Sequence, residues 1–240
     1  MTVNDRRTKI FHKILTGQLL FGFVIVAVAA FLISYAAGYR FEPENLSFAK
    51  TGVIYLDSDA SGAKTFVNGV DENKKFPFAL NYKAGVYNVE IKLDGHQPWQ
   101  KTLHVEAAGV YSFNNIVLFD SSPVVTTLSD QRKIDQIVTP NDVFVQAAKK
   151  KLTYNNNEIW VDDKIVSRFS SNISNVRWYS DLQHVMFQQG DEIRVIDLDG
   201  SNDKLLVTLN SDSSSMFTLG NRGSEIYFID AGSYKMAVIN

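Results

Sequence analysis

"GDEIRVIDLDG" (Gly190–Gly200) places four carboxylates, Asp191, Glu192, Asp197 and Asp199, within eleven residues. Read alone, it suits either a metal-binding or catalytic cluster or the turns of a β-hairpin. Its neighbours decide between them. "EIWVDD" begins at Glu158, "EIRVID" at Glu192 and "EIYFID" at Glu225, spacings of 34 and 33 residues. Asp163, Asp197 and Asp230 each lie five positions after the glutamate. The segments "KLTYNNNEIW", "HVMFQQGDEIR" and "NRGSEIYF" each read as strand, polar turn, strand. β-Branched and aromatic residues alternate at period two, which excludes helical repeats. A period of this length with paired strands predicts a β-propeller or a related array over residues 121–240. In that array Asp199-Gly200 supplies a hairpin turn, and Asp191 and Glu192 lead into a strand. A single catalytic cluster would not require its aspartate three times.

"RWYSDLQHVMFQQGDEIRVIDLDG" (Arg177–Gly200) resembles the short propeller repeats of Tol-associated and peptidase-type domains. The resemblance lies in Trp178, Ser180, Asp181, Ile193, Asp197, Asp199 and Gly200, and the third copy carries Ala231-Gly232 in place of Asp-Gly. Three units do not close a propeller of roughly four to eight blades. The expectation is therefore an incomplete propeller. It is a shortened family member, an array completed by another subunit or a second copy, or an open stack whose edges are covered or charged.

Upstream, short strand-like runs are separated by turn signals. "GVIYLDS" is followed by "GAKTFVNGV", in which Asn68-Gly69 is a strong hairpin signal. "KFPFALNY" and "GVYNVEIKLDGHQPW" come next, and "QKTLHVEAAGVYSFNNIVLF" supplies two more strands. Tyr87, Val89, Ile91 and Leu93 alternate with Asn88, Glu90 and Lys92, the pattern of a half-buried strand. The order of these signals resembles a PEGA domain. Gly62, Ala63, Gly69, Pro77, Gly85, Tyr87, Gly95 and Trp99 match its pattern, while Ala60 stands at a proline position and His96 at a tyrosine position. The resemblance implies an immunoglobulin-like β-sandwich over residues 50–120, typical of bacterial surface and envelope proteins, and implies no catalytic residue.

At the N-terminus, 26 residues between Lys13 and Arg40 carry no charge. About 20 apolar residues span a hydrocarbon core of ~30 Å. Arg6, Arg7, Lys9 and Lys13 precede the segment against one acid, Asp5. The positive-inside rule then predicts a basic cytoplasmic tail (1–16), a transmembrane anchor (17–39) and everything beyond it outside. Tyr35 and Tyr39 fall where interfacial aromatics sit. The alternative is a cleaved signal peptide, with "SYA" (Ser34–Ala36) as its cleavage site, but its apolar region is usually about 7–15 residues. Residues 40–49 form a polar linker. Beyond the first thirteen residues the chain holds 20 basic and 25 acidic side chains. This mildly acidic remainder, without a basic aromatic-interleaved stripe, predicts no nucleic-acid partner.

The chain of 240 residues contains no cysteine, which removes thiol catalysis, thiolate zinc sites and disulfides. His12, His96, His104 and His184 show no zinc spacing, and no HExxH, GxSxG or P-loop occurs. His96 and His104, eight apart across a turn, could face each other as a metal pair, but ordinary surface histidines are the expectation. "DLDGSND" resembles a calcium loop only superficially, because Gly200 stands at its fourth position rather than its sixth. Lys149, Lys150 and Lys151 read as a solvated turn, and Asn155–Asn157 as a hairpin tip. Trp99 and Trp160 read as core residues before glycan-stacking ones.

These readings predict an all-β ectodomain on one N-terminal transmembrane helix, with no assigned catalytic, cofactor or metal residue. The expected protein is single-pass and N-in in the cell membrane. It is a non-catalytic surface or envelope protein that binds or scaffolds an envelope protein or glycan. One alternative is a propeller-type hydrolase or lyase acting on cell-envelope glycan or peptide through Asp181, Asp197 and Asp199. It requires two carboxylates about 5–10 Å apart in a concave cleft. Another is a sensor or assembly subunit completed by a partner or by a second copy as a homo-oligomer.

Overall fold

The computed structural model describes residues 3–42, 46–138, 149–210 and 216–240. A long helix, α1 (Val3–Ala36), precedes the strands β1 (Tyr39–Glu42), β2 (Ser47–Leu56), β3 (Lys64–Val67), β4 (Val70–Asp71), β5 (Phe78–Lys83), β6 (Gly85–Lys92), β7 (Trp99–Val105), β8 (Val110–Phe113) and β9 (Val125–Thr127). After a short helix, α2 (Gln131–Val138), come β10 (Leu152–Tyr154), β11 (Glu158–Val161), β12 (Lys164–Arg168), β13 (Ile173–Trp178), β14 (His184–Gln189), β15 (Glu192–Asp197), β16 (Lys204–Thr208), β17 (Phe217–Gly220), β18 (Glu225–Asp230) and β19 (Ser233–Val238). The fold is mostly antiparallel β, in several separate sheets, and the described residues form neither a closed barrel nor a closed propeller.

The chain divides into two compact units. The first comprises Met1–Tyr55, Ala79–Val86 and His104–Ser112. Its apolar helix segment Thr16–Ala36 has a mean hydropathy of 2.6 and is unburied along its length, so it is long and apolar enough to cross a membrane. Just beyond it, Thr51 accepts from the Ala108 amide and donates its own amide and hydroxyl to Gly38 O. β2 pairs with β1, β5 and β8. A Cβ on Gly52 would stand 2.6 Å from both Glu106 O and Val105 Cγ1, so only glycine permits this approach of the backbones.

The second unit comprises Leu56–Phe78, Tyr87–Leu103 and Phe113–Asn240. A sheet in the order β4-β3-β6-β7 includes the expected Asn68-Gly69 hairpin, with φ of 49° and 81° at its two turn residues. Val89 and Ile91 are buried and Asn88 and Lys92 exposed, as the alternation predicts.

The repeats form three further sheets, β10-β11-β12, β13-β14-β15-β16 and β17-β18-β19-β9. The middle sheet packs on both faces because its strands alternate. Val185, Phe187 and Ile196 join Ile159, Val161 and Val166 of the first sheet, while Met186, Ile193 and Val195 join Phe217, Ile226 and Phe228 of the third. The result is an open stack. The third sheet is closed by β9, whose Val125 lies opposite Ala237. Its far face, Tyr227, Ile229, Tyr234 and Met236, is covered by Ile134 and Ile137 of α2.

α2 corrects the expectation of an all-β array over residues 121–240. Asp130 caps it, its carboxylate accepting from the Arg132 amide at 3.0 Å, and Ile134 and Ile137 present one apolar face at helical spacing.

Candidate functional site

The repeat hairpins are built alike. β11, β15 and β18 begin at Glu158, Glu192 and Glu225, and each glutamate bonds the side chain two residues on, which shares its strand face. Trp160 Nε1 donates to Glu158 Oε2 at 3.1 Å, Arg194 Nη1 to Glu192 Oε2, and Tyr227 OH to Glu225 Oε2 at 2.5 Å. Arg168 lies 2.6 Å from Glu158, and Lys133 of α2 lies 3.0 Å from Glu225. The repeated glutamate therefore holds its own strand. Trp160 is spoken for in the same way, and Trp99 is buried against Phe113.

The aspartates diverge. Asp163 is exposed in the β11–β12 turn, whereas Asp197 and Asp230 end their strands and are buried. Asp230 accepts from the Asn210 amide, Asn210 Nδ2 and Lys235 Nζ, at 2.8, 2.6 and 2.6 Å. Asp197 belongs to a longer chain of charges. Asp181 Oδ2 lies 2.6 Å from His184 Nδ1, and His184 Nε2 lies 3.1 Å from Asp197 Oδ1. Lys101 Nζ of β7 then lies 3.0 Å from Asp197 Oδ2, 2.5 Å from Asp199 Oδ2 and 2.6 Å from Ser201 Oγ.

Burial opposes a charge on His184, but the hydrogen bonds and charges of Asp181 and Asp197 outweigh it and raise its pKa to about 9. Burial likewise opposes ionisation of Asp197, and His184 and Lys101 outweigh it, holding the carboxyl below its usual range. His184 is thus a buried imidazolium, a role that no spacing in the sequence marks.

The structure brings Asp181, Asp197 and Asp199 together, as the hydrolase reading requires, yet fills the space between them with protein cations. An imidazolium separates Asp181 from Asp197, and an ammonium bridges Asp197 to Asp199. Asp181 Oδ1 also accepts the amides of Gln183 and His184, at 2.8 and 3.2 Å, fixing the β13–β14 turn. The calcium-like look of "DLDGSND" has a related cause: three oxygens of the loop converge on Lys101. Gly200, at φ +80°, makes the turn.

His96 bonds to Asp94 O at 3.1 Å and faces Asp120 at 3.5 Å, and His104 is exposed. Among the described residues no metal-holding cluster of His, Asp or Glu occurs. Asn155–Asn157 form the expected hairpin tip, where Asn155 Oδ1 accepts from the amides of Asn157 and Glu158. Lys149 and Lys150 are exposed, and Lys151 exchanges bonds with Asp162.

The second unit also holds a cleft of about 1040 Å³ that the sequence did not signal. Leu93, Ile116, Leu118 and Leu219 give it apolar walls, and Asp59 and Arg222 bring charges of opposite sign. Both are exposed and carry no ion pair among the described residues. Arg222 stands at φ 57° in the tight turn before β18. Beside it, Gly223 receives the Tyr179 hydroxyl on its carbonyl at 2.8 Å, and Asn240 Nδ2 donates to that hydroxyl at 3.1 Å. Burial raises the Tyr179 pKa, so the phenol remains a neutral donor that braces this wall. Segments far apart in sequence build the cleft, which is why no motif marks it.

Residues 51–117 match the PEGA domain family. No curated protein matches the chain.

Proposed function

We propose that this chain is a single-pass, N-in membrane protein that displays its β modules outside the cytoplasm and acts by binding an envelope protein or glycan. The carrying observation is that Asp181, Asp197 and Asp199 are each neutralised by His184 or Lys101. A carboxylate paired with a protein cation has less negative charge left to activate a water or meet a substrate than an unpaired one. The apolar helix Thr16–Ala36 and the PEGA-like segment support anchored display. The binding site is the cleft, where Asp59 and Arg222 offer one free charge of each sign to a partner of mixed charge. Sedimentation of the full chain in detergent with isolated cell envelopes tests this. Wild type should co-sediment, a D59K/R222E variant should lose retention, and no reducing ends or new peptide amines should appear. Release of either product that disappears in D181N would establish the hydrolase reading instead.

The open stack favours one further reading, assembly with a second copy. The first repeat sheet turns Ile159 and Val161 to the core, leaving Trp160 paired with the exposed Ile165 on its other face. Light scattering should then give a dimer; a monomeric mass contradicts it.

A further inference from the structure

We infer that the aromatic face of the β1–β2 hairpin seats in the headgroup layer of the bilayer that α1 crosses, an inference resting on the anchoring proposed above. The 21 residues Thr16–Ala36, at ~1.5 Å rise each, use up the full hydrocarbon thickness. Tyr35, half-exposed at the end of this span, is therefore at the polar boundary.

The chain does not leave that boundary freely. Gly38, at φ +86°, turns it, and Arg40 reaches back to the helix end. The Arg40 guanidinium lies 3.8 Å over the Tyr35 ring and donates to Tyr35 O at 2.8 Å. The start of β1 is thus held at the depth of Tyr35.

The register does the rest. Tyr39 opposite Lys50, and Phe41 opposite Phe48, put these four side chains on one face, with Arg40 and Ala49 on the other. Phe41 and Phe48 stack with centroids 5.3 Å apart, yet remain 51% and 59% exposed, and the nearby Leu46 is 81% exposed. Water is a poor solvent for such a cluster, and the described residues do not cover it. Rings at headgroup depth gain apolar contact, while the ammonium of Lys50, 6.0 Å from the Tyr39 ring, meets lipid phosphate. A bilayer is also the one surface that the adjacent helix delivers without a separate encounter.

The absence of cysteine permits a direct depth measurement. Nitroxide labels at L46C or F48C are compared with V24C, inside the span, and R132C, whose native side chain is 90% exposed. The full chain is placed in equimolar phosphatidylcholine–phosphatidylglycerol vesicles, and collisions with oxygen are measured against a water-soluble nickel chelate. The oxygen-to-nickel ratio at positions 46 and 48 should exceed that at position 132 several-fold and stay below that at 24. Values equal to position 132, with position 24 deep, overturn the hairpin's insertion and leave the anchor intact. Shielding from both reagents means a protein covers the face and also overturns it. An aqueous reading at position 24 removes the anchor, and the inference with it.

Discussion

His184 carries the strongest consequence at the scale of single residues. In the unfolded chain its imidazole titrates near pH ~6.5, whereas in the fold it holds its proton to about 9. The stabilisation this provides is fully present below pH ~6.5 and is lost as pH rises through about 9. Asp197 works in the opposite sense: its depressed pKa stabilises the fold above the usual carboxylate range and fails as pH falls below it. Thermal unfolding should therefore show greatest stability between roughly pH 4 and 6.5 and a loss on the order of 3 kcal/mol by pH ~9. In H184Q the loss between pH 6.5 and 9 should vanish; its persistence would assign the loss to another group. Gly223 makes an independent claim. At φ +101°, with a Cβ position 2.1 Å from Ser180 Oγ, it admits no side chain without displacing the wall of the cleft. G223A should destabilise the fold by about 1–3 kcal/mol in denaturant, and an unchanged midpoint would contradict this.

Among the elements, α2 shows how burial orders a segment that is short by itself. Eight residues do not form a stable helix in water, so α2 exists because Ile137, fully buried, completes the outer face of the third repeat sheet beside Leu128 and Tyr227. I137A should cost about 2–5 kcal/mol, measured as a lower denaturation midpoint; a loss below ~1 kcal/mol would mean that the helix merely rests on the sheet. The strands of the repeats were legible because their signal is local: "EIWV", "EIRVID" and "EIYFID" are β11, β15 and β18, and each glutamate opens its strand. Asp130 and the Ile134–Ile137 spacing were a readable helix signal as well, masked by the β pattern on either side. The pairing of β9 with β19 was not readable, since Val125 and Ala237 lie far apart and nothing local specifies the partner. The chain from Asp181 through His184 and Asp197 to Lys101 was hidden for the same reason, because Lys101 comes from a different sheet.

For the molecule as a whole, the apolar helix and the PEGA-like segment were visible in composition and turn residues, whereas the cleft depended on tertiary packing. One fold-level device organises the second unit: alternating strands give its middle sheet two apolar faces, and internal cations neutralise the carboxylates at the strand ends. In the function proposed above, this unit presents its surface for binding and the helix sets which side of the membrane it faces. That sidedness is the claim on which the rest depends. It is tested most directly by treating intact cells with a membrane-impermeant maleimide, using a single cysteine in place of Arg132 or, separately, of Asn4. The account predicts that R132C is labelled on intact cells as fully as after lysis, and N4C only after lysis. Labelling of N4C on intact cells, with R132C protected until lysis, would contradict it.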